Sequence, residues 1–170
     1  DKSGCIIAWD FLNKTRKHCP PLLAHIEDRD LWKFNLKFTK QISLALFTKT
    51  LDYRSINVFM KMNNLQLKES LAIPGGYLLR QQEVNVANVI KATKRKVFIE
   101  PQVAKQIGME GVEYLTLVNA NYMFASDVGN IVSLEEPCCF SYYDSEEYRH
   151  YSIRSSEHNN AAIDVSVIAK

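Results

Sequence analysis

Lys94-Arg95-Lys96-Val97-Phe98-Ile99 marks the point where the chain changes character. Upstream, apolar residues recur at helical spacing. Ile6, Ile7, Trp9, Phe11 and Leu12 make one such face, Leu22, Leu23 and Ile26 a second, and Ile42, Leu44, Ala45, Leu46 and Phe47 a third. Downstream, segments 97–99, 114–118, 140–143 and 148–153 are rich in β-branched and aromatic residues, which suit a pleated, half-buried surface. Between the second and third of these, residues 125–134 have a helical pattern, with Ser126 near the start. Strand, strand, helix, strand, strand predicts an α/β fold, with helices packed on a mixed sheet. A last helix is expected over 164–170.

Working back toward the start, Ser3 is placed to cap a helix running to Asn13, followed by a polar loop over 14–18. Pro20-Pro21 opens the next helix, since proline is tolerated in a first turn. Trp32, Phe34, Leu36 and Phe38 alternate with Lys33, Asn35 and Lys37, which predicts a short half-buried strand or extended loop. Helices are expected over 39–47 and 53–62. Pro74-Gly75-Gly76 is the strongest punctuation in the chain and predicts a hinge. Residues 77–93 then predict a long, rather polar helix that bridges two domains. The expected division is 1–73, a connector over 74–93, and 94–170.

A length of 170 residues is enough for one ordinary domain or two small ones. With 46% hydrophobic and 24% charged residues, the chain belongs with globular proteins, not disordered or fibrous ones. A formal net charge of +2 does not by itself argue for nucleic acid or a membrane surface. Cys5, Cys19, Cys138 and Cys139 have no metal-knuckle spacing and are expected as reduced, partly buried thiols of a cytoplasmic protein. No apolar run approaches the ~20 residues that span a bilayer. Phosphate loops, dinucleotide-binding glycine patterns and nucleophile elbows are absent from the sequence.

Three constellations carry chemistry. In Ile26-Glu27-Asp28-Arg29-Asp30-Leu31-Trp32, two carboxylates lie two residues apart at the end of an apolar helix. An anion there is disfavoured by the helix dipole, which a cation would relieve. Asp28 is a candidate ligand for a hard divalent ion and Asp30 a weaker one, either as ligand or as partner of Arg29. The alternative is that both acids cap or form ion pairs. Second, Arg154-Ser155-Ser156 follows a strand and offers a guanidinium and hydroxyls to a phosphate, with His158 in the next loop. Pairing of Arg154 with Asp164 or Glu157 is the competing reading. Third, Asn119 at a strand end and Ser126 at a helix start fit an anion site, or equally a turn and a cap. His25 and His150 are expected to be structural.

The first of these segments, together with Ser152-Ile153-Arg154-Ser155-Ser156 and Ile163-Asp164-Val165-Ser166-Val167-Ile168-Ala169-Lys170, resembles the DHH family of phosphoesterases, in its oligoribonuclease-like branch. Asp1-Lys2-Ser3-Gly4 running into Ile6-Ile7-Ala8-Trp9 is similar to the helix that follows the Asp-His-His motif there. The resemblance covers residues 1–170. The Asp-X-Asp and Asp-His-His motifs and the closing glycine-rich histidine loop are missing, which implies the back part of a longer enzyme. What the resemblance implies is a phosphodiesterase with two Mn²⁺ or Mg²⁺ ions, acting on short RNA or DNA, a dinucleotide or a related phosphate ester. It implies Asp28 at the metals, Arg154 and Ser155 at the substrate phosphate, and Asn119 and Ser126 along the cleft. A homodimer and a cytoplasmic location are further expectations. Two other classes stay open: a non-catalytic phosphate- or nucleic-acid-binding module, and a structural or oligomerisation fragment.

Overall fold

A computed structural model of the chain describes residues 2–13, 18–156, 158–161 and 163–168. Expectations that fall on 14–17, on Glu157 or on the end of the last helix lie outside the described residues. The chain forms two compact units, 1–82 and 83–170.

The first unit is helical. Its elements are α1 (Gly4–Leu12), α2 (Pro21–Asp30), α3 (Thr39–Phe47), α4 (Tyr53–Met60), α5 (Asn64–Leu67), a π-helical turn (Lys68–Ala72) and the first half of α6 (Ile73–Thr93). Local chemistry sets the starts. Pro21 occupies the opening turn of α2, and Asp52 with Ser55 and Asn63 with Gln66 form reciprocal capping boxes at α4 and α5. Leu22, Ile42, Ala45, Leu67, Leu71 and Ala72 form the core, with Ile26, Phe38 and Phe59 packed against it.

Pro74-Gly75-Gly76 is not a break. It lies in the first turn of a helix 21 residues long. Proline has no N–H to give the preceding turn, and its ring crowds the carbonyl four residues back. The chain widens into the π turn immediately before Pro74, where Ile73 N–H bonds the Lys68 carbonyl. Gly75 has a different reason to be small. A Cβ there would lie 1.9 Å from the Gln41 carbonyl oxygen, so only glycine allows this approach of α6 to α3.

The second unit is α/β. It comprises the second half of α6, β1 (Arg95–Phe98), α7 (Pro101–Gln106), β2 (Tyr114–Asn119), α8 (Tyr122–Val132), β3 (Cys139–Asp144), β4 (Arg149–Arg154) and a 3₁₀ turn (Val165–Val167). The sheet order is β1-β2-β3-β4, antiparallel except for the parallel pair β2/β3, which α8 connects. The two faces are covered differently. Val86 of α6 and Val128 and Val132 of α8 pack with Val118 and Cys139. Ala104 and Met109 pack with Ile99 and Cys138, joined by Leu115, Phe140, Ile163 and Val165. Burial pushes the Cys138 thiol up to about 11 and Cys139 to about 12, so both are inert packing groups.

Candidate functional site

Asp28 sits in the last turn of α2 and is 6% exposed. Its Oδ1 accepts from Asn35 N–H (2.8 Å). Its Oδ2 accepts from Leu36 N–H (3.0 Å) and Thr39 Oγ1 (2.6 Å). Its main-chain carbonyl accepts from Lys33 and Phe34. One residue therefore organises the whole 33–39 segment. That segment is neither strand nor extended loop: Trp32, Phe34 and Phe38 have φ of 55°, 48° and 76°. Bulky side chains in the left-handed region cost ~1–3 kcal/mol each, and such a conformation persists only where its surroundings enforce it. Asp28 supplies the enforcement.

The first constellation therefore has protein partners of its own. Repulsion of the carboxylate by the dipole at the end of α2 is offset by three donors, the N–H groups of Asn35 and Leu36 and the Thr39 hydroxyl. Burial pushes the Asp28 carboxyl up, but the bonds from Thr39, Asn35 and Leu36 outweigh it and hold the group below its ordinary value. Thr39 commits its proton to Asp28, so its oxygen accepts from His25 Nδ1–H at 2.9 Å. Burial pulls the His25 imidazole below its ordinary value, although Asp28 acts in the opposite sense. Asp30 is exposed and lies 4.0 Å from Arg29 Nη1. Among the described residues no cluster of three or more His, Cys, Asp or Glu side chains could hold an ion. The donors around Asp28 and Asp30 do not fit a Mn²⁺ or Mg²⁺ pair.

The other predicted residues lie in the second unit, and two of them come together. Arg154 ends β4 and crosses to α8, where its Nη2 donates to Ser126 Oγ at 3.0 Å. Its aliphatic stem lies against Gly129, where a Cβ would be 2.9 Å from Arg154 Cδ. Ser126 belongs to the second turn of α8, because the helix begins earlier than expected, capped by the Asn121 side chain on Met123 N–H. Beside it is a cavity of about 310 Å³ lined by Tyr122, Ser126, Ser141, Tyr143, His150 and Ser152, with Ala125 and Tyr151. Tyr143 and His150 stack at 4.7 Å and 12°, and Tyr122 leans toward Tyr143 at 6.4 Å. Ser145 Oγ lies 3.0 Å from His150 Nε2.

Asn119, Ser155 and His158 are not among the residues lining this cavity. The Asn119 carbonyl accepts from Thr93 Oγ1, and His158 N–H bonds Ser156 Oγ within its own loop. Asp164 caps the 3₁₀ turn by accepting from Ser166 N–H. Sequence reasoning missed Tyr122, Tyr143 and His150 as a ring cluster. The signal was present: in the β3/β4 pairing Tyr143 is opposite His150, but register cannot be read from composition.

A protein of Acanthamoeba polyphaga mimivirus described as "Uncharacterized protein R106" is 26% identical to the chain over 174 residues, covering 99% of the chain and 38% of the relative. The chain thus spans about two fifths of that relative's length. No family model matches, so the resemblance to DHH phosphoesterases rests on the residues quoted for it. No solved structure matches either. No helix of the described residues is long and apolar enough to cross a membrane.

Proposed function

We propose that the second unit is a binding module for a ring-bearing phosphate ester, such as a nucleotide or a short single-stranded oligonucleotide. One observation carries this: stacked rings and a cation-held hydroxyl meet at one cavity. Tyr143, His150 and Tyr122 offer faces and edges to a planar base, a contact worth ~1–3 kcal/mol per base and tolerant of base identity. Ser126 Oγ accepts from Arg154 and so keeps its own proton to donate to a phosphoryl oxygen. The Arg154 guanidinium polarises that hydroxyl and adds positive potential. At 310 Å³ the cavity suits one nucleotide-sized group. Hydrolysis by the two-metal route would need ligands beyond the residues described; the reading proposed for this unit concerns binding. A reducing, cytoplasmic setting belongs to the same proposal, supported by four cysteines without metal-knuckle spacing.

The test is titration calorimetry of the chain with adenosine 5′-monophosphate and with a short oligoadenylate, in EDTA and again in Mn²⁺. Binding equal in both buffers is expected, with Tyr143→Ala and Ser126→Ala each weakening it roughly 10-fold, the factor ~1.4 kcal/mol represents. Affinity that appears only with Mn²⁺, or cleavage of the oligonucleotide, would favour the phosphodiesterase. No affinity in either buffer would leave a structural fragment.

A further inference from the structure

We infer that the first unit carries a second binding site, for an amphipathic anion with an apolar chain and a carboxylate or similar head. A groove of about 580 Å³ runs between α2, the 33–38 loop and α5. This is within the ~300–1,000 Å³ that small-molecule sites occupy. Pro21, Ala24, Leu36, Phe38, Ile42 and Leu65 make an almost wholly apolar wall. Among the described residues no acid lines it, and its charged groups are Lys37 and Lys68. Their ammonium groups reach one ring from two separate segments, 5.1 Å and 5.8 Å from the Phe38 centroid. Neither is in an ion pair with the described residues. Two cations converging above an apolar wall match a ligand whose tail is apolar and whose head is anionic.

The backbone singles out the same place. Phe38, one of the wall residues, is held left-handed at φ 76° by the Asp28 network. Lys68 is the first residue of the π-helical turn. Strained φ angles and π turns both concentrate where a structure is shaped for a ligand. These two come from elements about 30 residues apart in sequence and meet at one groove. The site is independent of the nucleotide cavity, whose lining lies wholly in the other unit.

The experiment is calorimetric titration of the intact chain with dodecanoate below its micelle concentration, alongside dodecanol at matched concentration. Saturable one-to-one binding of dodecanoate is expected, at least 10-fold tighter than dodecanol and weakened by salt as exposed lysines require. The Lys37→Gln/Lys68→Gln double variant should lose that preference. Ala24→Phe should fill the groove and abolish binding of both. If Ala24→Phe does not fold, Leu65→Glu, at an exposed position, should abolish dodecanoate binding with unchanged circular dichroism. Equal affinity for the alcohol, an unaffected double lysine variant, or no saturable binding would overturn the inference. So would a dimer in sedimentation that Ala24→Phe dissolves, because the groove would then belong to a second copy.

Discussion

At the scale of the residue, Asp28 is the most consequential side chain of the first unit. Hydrogen bonds to a charged group contribute ~1.5–3 kcal/mol each, and three converge on this carboxylate. Asp28→Asn keeps the shape but turns an amide N–H toward donors of the loop. It is expected to cost roughly 2–4 kcal/mol in urea unfolding. A variant as stable as the parent would show that the loop holds itself. The pH dependence follows from the neighbours. The Asp28 carboxyl lies below its ordinary 3.8 in the folded chain, so its contribution is complete above that value and lost as pH falls below it. His25 also lies below its ordinary 6.5, so the unfolded chain takes up protons first. Stability should therefore begin to fall as pH drops through 6.5. His25→Asn keeps a donor for Thr39 and cannot titrate, so its urea midpoint should fall less between pH 7.5 and 5.5. Parallel losses in both proteins would assign the slope elsewhere. None of this was legible in Ile26–Trp32. The sequence exposes an acid at a helix end, but not whether its partners are a metal or the backbone seven and eight residues on.

At the scale of the element, regular periodicity was readable and close contact was not. The strands were anticipated within a residue or two, because Tyr114–Asn119 and Cys139–Asp144 are dense in residues that suit a pleated surface. The short α7 escaped, although Glu100-Pro101 is an ordinary helix opening. The misreading at 74–76 is more instructive. Proline and paired glycines suit a turn by propensity, yet here the proline is absorbed by a π turn and one glycine is demanded by a neighbouring helix. Two adjacent substitutions separate these causes. Gly75→Ala must displace the Gln41 backbone, at a cost of about 2 kcal/mol or more. Gly76→Ala meets nothing within 4 Å and should stabilise the helix by ~0.5–1 kcal/mol. Denaturant midpoints moving in opposite directions support this account. Equal small shifts would restore the hinge.

At the scale of the whole molecule, the question is where the second unit begins. Composition puts the change at Lys94, because the strand formers start there. The cores put it earlier. Val86 is 2% exposed and packs with Val118, Val128, Val132 and Cys139, while Val89 and Ile90 flank the same cluster. Removing residues 83–93 would take away the α6 part of the helical cover on that face, leave α8 alone on it, and open the cluster that Val86 closes. A fragment of residues 83–170 keeps both cores. At this length a chain buries enough apolar surface to be stable alone. It is expected to give a cooperative unfolding transition, dispersed amide resonances and the same nucleotide affinity as the intact chain. A fragment of residues 94–170 should retain strand-like circular dichroism but lose cooperativity and bind hydrophobic dyes, as loosely packed states do. Should the shorter fragment fold as sharply as the longer one, α6 would be a bare connector. Val86, Val89 and Ile90 would then contribute nothing that the sheet needs.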